Sequence, residues 1–340
     1  MTHRAKILAA IAVAIAVFAA YSAYWFYVAG RLESGIDDWV EFQRQGGVDI
    51  AFDRDKIHGF PGDFRTNVRR LTVEFPVNGR LSTWTGPDLA LRMSPFDLHA
   101  VAFSAPGTHS FAGPGGNLYI QVEKFDGRIE IGGNGLLAKA LADLSQAKVS
   151  LPNGMEFQAS SVHLAFDLPP QPPAKYPDPL AGFDLAAENL TLPPGTRLLT
   201  EGPLGKIAAT GSILGPIPAA PVDRALTIWR DAGGVLDLTS FAFAQGPLTV
   251  TGSATVALDR DLQPEGAASL KVKGLPATVD LLAGEGMIAP GDALKFKAFA
   301  LGAQQKGEGG EPEVATGLTL QDGLVSWGPF PITRMPPIAW

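Results

Sequence analysis

The chain of 340 residues contains no cysteine, which excludes disulfides, thiolate metal sites and cysteine nucleophiles. Its stability has to come from packing and backbone pairing. Histidine is scarce: of five, His58, His99, His109 and His163 lie beyond the first residues, and no two share a helical turn or alternate positions of one strand. A metal centre would require distant segments to converge. Basic charge is in deficit, 27 Lys and Arg against 34 Asp and Glu, for a formal net charge of -7. That balance speaks against nucleic acid, which needs basic surface to displace phosphate counterions, and no polybasic lipid-binding cluster occurs. No G-x-S-x-G elbow accompanies the serines. The sequence therefore offers no catalytic residue, cofactor site or metal site, and a non-enzymatic protein is expected.

What is present begins with a charge-free apolar run over residues 7–29, preceded by His3, Arg4 and Lys6 and followed by Arg31, Glu33, Asp37 and Asp38. A bilayer core takes roughly 20 apolar residues in a helix, and the basic side of a span stays in the cytoplasm. The expected topology is a single pass with residues 1–6 cytoplasmic, 7–29 as a signal anchor and the body outside. The alternative is a cleaved signal peptide, whose apolar core is usually about 7 to 15 residues; Ala20-Tyr21-Ser22-Ala23 matches a cleavage site poorly. Tyr24, Trp25, Phe26 and Tyr27 at the outer end suit a membrane-interface belt.

Beyond the anchor, 46% hydrophobic and 18% charged residues describe a globular body, and 39 Gly with 28 Pro point to many turns. Residues 30–47 read as a juxtamembrane helix, with Leu32, Ile36, Trp39, Val40 and Gln43 on one side and Gly46-Gly47 as its stop. A period of two then takes over, in a first β-rich half over residues 48–168. Leu71, Val73, Phe75 and Val77 alternate with less apolar neighbours, and the 118–122 and 129–131 runs form an expected hairpin across Phe125-Asp126-Gly127. A Pro-rich connector over residues 169–179 leads to a second β-rich half, 180–340. There Leu248, Val250, Ala254, Val256 and Leu258 share one face of a long strand. The preceding run switches register near Ser240, as a bulge would cause, and Leu270 and Val272 extend the meander. Helices are expected at 136–144, 222–232, 277–282 and 290–302. Lys148–Gly154, Asn189–Gly195 and Gly317–Leu320 resemble one another as strands; the first two run into turns, which duplication or turn chemistry alone could produce.

Two motifs mislead. Gly133-Asn134-Gly135-Leu136-Leu137-Ala138 matches a dinucleotide fingerprint, yet Arg128 and Glu130 make the preceding strand half-exposed and no βαβ unit follows, so a turn opening a helix is expected. Asp259-Arg260-Asp261 lacks the glycine of a calcium loop and reads, like Asp53-Arg54-Asp55, as a hairpin tip.

The segment Ile57-His58-Gly59-Phe60-Pro61-Gly62-Asp63-Phe64-Arg65, with Trp84-Thr85-Gly86-Pro87 and the terminal Gly323-Leu324-Val325-Ser326-Trp327-Gly328-Pro329-Phe330, resembles the bacterial domain of unknown function 2125 family. That resemblance implies a membrane-anchored, β-rich periplasmic protein. Gly246-Pro247-Leu248-Thr249 and Gly274-Leu275-Pro276-Ala277 look like AsmA-type proteins. Those proteins carry one N-terminal helix and a curved sheet forming an apolar groove, implicated in lipid movement. The resulting expectation is a mainly β fold: large curved antiparallel sheets and a few short helices behind one transmembrane helix in the bacterial inner membrane. Its candidate groove lining is Leu248, Val250, Val256, Leu258, Leu270 and Val272; an ordinary sandwich core fits the same alternation. Membrane lipid is the expected partner. The alternative is a structural or assembly protein that binds other envelope proteins through sheet edges.

Overall fold

The computed structural model describes residues 3–77, 80–193, 202–218, 220–307, 312–327, 330–338 and 340. Two sequence features, the Pro194-Gly195 turn and Gly328-Pro329, lie outside them. The fold is mainly β and antiparallel, with four helices, the first of them a long apolar helix at the N-terminus. The chain divides into two compact units, Met1–Ile131 with Val149–Gly154, and Gly132–Lys148 with Met155–Trp340.

The first unit opens with α1 (His3–Gln45), one continuous helix that at 1.5 Å per residue runs about 65 Å. Its first half is bare: Ile7, Leu8, Ile11, Val13, Ile15, Val17 and Phe18 are all at least half exposed. One helix of this length and composition fits a single-pass anchor or a signal sequence. The second half is held by the body. Gly47, at φ +84°, ends it, with its N–H bonded to Arg44 O.

Strands β1 (Asp49–Arg54), β2 (Phe64–Val77), β3 (Arg80–Thr85), β4 (Leu89–Ser94), β5 (Asp97–Ser104), β6 (Gly107–Gly113), β7 (Gly116–Val122) and β8 (Lys124–Ile131) follow. They behave as five strands, β1, β2, β3 with β4, β5 with β6 and β7 with β8, each bent or broken at the same level. β3 and β4 both pair with β2, β5 with β4, β6 with β3, β7 with β6 and β8 with β5. The breaks align into a crease: the β1 bulge at Phe52, Arg70 at φ +53°, Gly86-Pro87, Ala105-Pro106 and Glu123. Proline removes a ladder donor and bulges bend a strand, so a row of them lets the sheet fold over on itself. The 118–131 region is accordingly not a hairpin. Phe125, Asp126 and Gly127 lie inside β8, and the chain steps at Glu123 from one partner to another. Asp53-Arg54-Asp55 is likewise not a tip but strand edge: Asp53 pairs with Arg69, and the Asp55 N–H donates to Asn67 O.

The second unit is a meander of β9 (Leu137–Ser150), β10 (Glu156–Asp167), β11 (Pro179–Leu190), β12 (Leu204–Leu214), then α2 (Val222–Asp231), β13 (Val235–Gln245), β14 (Leu248–Leu258), β15 (Pro264–Lys273), α3 (Leu275–Gly284), α4 (Pro290–Ala303), β16 (Gln304–Lys306), β17 (Pro312–Gln321), β18 (Leu324–Trp327) and β19 (Phe330–Arg334). The helix expected at 136–144 is instead the start of β9, because Ala138, Ala140, Ala142 and Leu144 turn inward while Leu137, Lys139, Leu141 and Asp143 face out. Pairing with β10 outweighs the helix preference of Leu, Ala and Lys. Gly133-Asn134-Gly135 is the turn before it, closed by Gly132 N–H to Leu136 O, and leads to a strand rather than a helix. The 240 bulge is present: Thr239 is the extra residue, its hydroxyl donating to Thr210 O at 3.0 Å, so Leu238 and Phe241 stay on one face. Asp259 caps the β14–β15 tip, its Oδ1 accepting from the N–H groups of Asp261 and Gln263 at 2.8 Å each.

The grip on α1 centres on Trp25, 1% exposed. Its indole N–H donates to Gly62 O at 2.8 Å, and its ring lies 4.8 Å from Phe64 and 5.6 Å from Phe60, centroid to centroid. The receiving loop depends on Gly59, at φ +115°, where any Cβ would collide with Asp63 O. Replacing Trp25 by Ala should remove about 3–5 kcal/mol of packing from this unit, and Trp25→Phe about 1 kcal/mol through the lost hydrogen bond. Hydrogen exchange of the 57–65 amides in the full chain should quicken in that order; unchanged exchange in Trp25→Ala would contradict the grip.

Candidate functional site

The strand registers of the second unit place side chains in cross-strand rows. One row reads Val162, Ala187, Ile207, Phe243, Val250, Val272, Val314. The next is Leu164, Leu185, Ala209, Phe241, Gly252, Leu270, Thr316. The third is Phe166, Phe183, Gly211, Leu238, Ala254, Ala268, Leu318, Trp327. The fourth is Ala181, Ile213, Leu236, Val256, Gly266, Leu320, Val325. Successive residues of a strand point to opposite faces, so these four rows form one apolar face, with Thr316 its single hydroxyl. The rows between them carry the polar residues: Glu188 faces Lys206, and Thr251 faces Lys271.

Helices α3 and α4 cover one end of the apolar face, and α2 packs at the opposite strand ends, with Ala225 and Trp229 buried and the Trp229 indole N–H donating to Leu214 O at 2.8 Å. Leu248 and Val272 are buried with Leu275 and Val279 of α3, Ala293 and Ala300 of α4, and Val314, while Val250 and Leu270 pack against this cluster. Four of the six residues expected to line a groove therefore meet α3 and α4. Val256 and Leu258 lie outside the cluster and are half-buried. Gly274, at φ +73°, precedes α3 where any Cβ would collide with Pro247 O, and the chain there turns back over β14. The third and fourth rows stay partly open: Phe183, Ile213, Leu236, Leu238 and Leu320 are half-buried, and Phe166 is 40% exposed. Their middle is built from small residues, Gly211, Ala254, Ala268 and Gly266. Such a face presents hydrocarbon with one hydroxyl, and its chemistry is the burial of apolar surface.

A second apolar recess lies in the first unit, a cavity of about 270 Å³ lined by Leu32 and Ile36 of α1 with Ile57, Phe64, Leu91, Met93, Val101 and Ile129. Its volume lies just below the roughly 300 Å³ lower end of small-molecule pockets. The expected belt residues divide. Trp25 is buried, Tyr24 donates its hydroxyl to Pro95 O at 2.7 Å, Phe26 stacks on Phe60 at 5.3 Å, and Tyr27 is 69% exposed.

The histidines do not converge, and among the described residues no three His, Asp or Glu side chains stand together as a metal site would require. His109 stands in the crease. It is 5% exposed, parallel to Trp84 at 6.0 Å, tilted against Phe125 at 5.3 Å, and its Nε2–H donates to Ala105 O at 3.1 Å. Burial pushes its pKa below the ordinary 6.5, and the hydrogen bond to Ala105 works against that shift. Trp84 Nε1 is also buried, with no acceptor among the described residues. Sequence reading missed this stack, whose only signal was the paired breaks at Gly86-Pro87 and Ala105-Pro106.

The chain matches the family described as "Uncharacterized protein conserved in bacteria (DUF2125)" over residues 25–336. It belongs to that family. Neither a curated protein nor a solved structure matches the chain. The DUF2125 match begins at Trp25, the residue the body grips, and runs through β19. In this DUF2125 protein a neutral, buried His109 adds stability that is fully present above the unfolded-state pKa of 6.5 and is lost as pH falls through the lower folded value. Acidification from about pH 7.5 to about pH 5 should lower the thermal midpoint more in the parent than in His109→Phe. Equal losses would show that His109 does not carry this dependence.

Proposed function

We propose that the protein is a tethered binder of lipid acyl chains, without enzymatic activity, held by α1 at the periplasmic surface of the bacterial inner membrane. The observation that carries this reading is the set of four apolar rows across the second unit, of which α3 and α4 cover one end. The basic His3, Arg4 and Lys6 before the span, and the largely acidic residues after it, support a cytoplasmic N-terminus. The likeness of the C-terminal half to AsmA-type proteins points the same way.

The energetics suit an acyl chain. Each buried methylene is worth about 0.8 kcal/mol, so a dozen would supply roughly 10 kcal/mol before the costs of ordering and association are subtracted. A surface without charged groups gives grip without head-group specificity, as a carrier of bulk lipid requires. Structural partnership with other envelope proteins is the competing outcome.

Photo-crosslinking amino acids placed in cells at Leu238 on the apolar face and at Thr251 on the polar face separate the two. Lipid adducts at Leu238 and none at Thr251 are expected. Protein adducts at Thr251 with no lipid at Leu238 would overturn the binder in favour of the scaffold. Leu238→Glu should cut lipid recovered with the purified chain roughly tenfold, equivalent to about 1.4 kcal/mol, while Thr251→Glu leaves it unchanged.

A further inference from the structure

The β4–β5 turn carries Phe96, which at 85% is the most exposed large hydrophobic side chain among the described residues. It does not project at random. Tyr21 of α1 stacks on the Phe96 ring, centroids 6.1 Å apart and planes 17° apart, and the neighbouring Tyr24 hydroxyl donates to Pro95 O at 2.7 Å. The 57–64 loop meets the helix at the same height: the Tyr21 hydroxyl donates to Pro61 O at 2.5 Å, and Phe18 lies edge-on to Phe60 at 6.0 Å.

Helix geometry fixes what that height is. From Lys6 to Tyr24 is about 27 Å at 1.5 Å per residue, close to the roughly 30 Å of a bilayer's hydrocarbon core. With Lys6 at the inner surface, Tyr21 and Tyr24 stand at the outer boundary, and Phe96 stands beside them. We infer that the Phe96 turn, with Phe60, is a second membrane contact, inserted into the outer boundary of the same bilayer that α1 spans. This rests on the anchor being retained in the membrane.

The charges above the turn fit a phosphate layer. Arg92 is three residues up β4 from Pro95, about 10 Å along the strand, and Arg65 of β2 pairs directly with it. Like charges directly opposed across a sheet destabilise it. Arg92 is engaged by Asp63, and Arg128 by Asp97 and Glu130, whereas Arg65 has no ion-pair partner among the described residues. Lipid phosphates supply the missing counter-charge at that level.

The absence of cysteine makes the test direct. Phe96→Cys, Ala14→Cys and Gly115→Cys, the last in the exposed β6–β7 turn at the opposite end of the broken strands, each give one labelling site in the full chain. Each is labelled with an environment-sensitive dye and reconstituted into phosphatidylcholine–phosphatidylglycerol vesicles containing a lipid with a nitroxide near the glycerol. Position 96 should lose most of its emission to the nitroxide, and position 115 none. Position 14 should be quenched by a nitroxide placed deep in the acyl chain. If 14 is quenched and 96 behaves like 115, the anchor stands and this inference fails. No quenching at 14 would overturn both. An unquenched position 96 that forms disulfide-linked dimers would assign the turn to a second copy of the chain.

Discussion

An antiparallel strand that alternates apolar and polar side chains has one face that water disfavours, and pairing such strands in register joins those faces into one surface. Everything in the second unit follows from that constraint. The rows from Val162 to Val314 and from Phe166 to Trp327 cannot face solvent without cost, at about 25 cal/mol per Å² of apolar area. Helices α3 and α4 close the end at Leu248, Val272 and Val314, and α2 packs its buried Trp229 at the far ends of β12 and β13, while the rows between stay half-exposed. The bulge at Thr239 shows how strictly the constraint holds: one extra residue would have turned Leu238 or Phe241 outward, and the bulge absorbs it. The surface left half-covered is what the proposed acyl-chain binding uses.

The first unit meets the same demand differently. A crease through Phe52, Arg70, Pro87, Pro106 and Glu123 lets its short strands fold over their own apolar face, and Trp84, His109, Phe111 and Phe125 fill the fold. The helix α1 supplies the remaining cover, with Val40 against Ile50, Val68 and Leu71, and Trp25 against Phe64. One helix thus carries two loads, an exposed apolar half and a gripped half, joined at Trp25. Family membership beginning at that residue matches this division.

Much of this was legible in the residues. The charge-free run, the stop at Gly46-Gly47, the 248–258 strand and the bulge near Ser240 each depend on neighbours a few positions apart, and the structure has them. The readings that failed involved competition between local preference and distant pairing. Leu136 to Leu144 contains good helix formers, and its exposed Leu137 and Leu141 hide the alternation of Ala138, Ala140 and Ala142. Phe125-Asp126-Gly127 has turn chemistry yet sits mid-strand, because the actual step is one residue-level break at Glu123 that matters only when the neighbouring breaks align with it. The contact between Trp25 and Gly62 spans 37 positions, and nothing local distinguishes a gripped tryptophan from one lying in head-groups. For the candidate site, the apolar alternation was readable but its cover was not: that α3 and α4 meet Leu248 and Val272 depends on tertiary packing.

The account stands on the apolar rows holding lipid rather than serving only as core. Native mass spectrometry of the full chain, released gently from the membrane, tests this most directly. The account predicts chain mass plus that of one or more bilayer lipids, retained after detergent is stripped and lost in Leu238→Glu. A bare chain mass that takes up no lipid from added vesicles would contradict it.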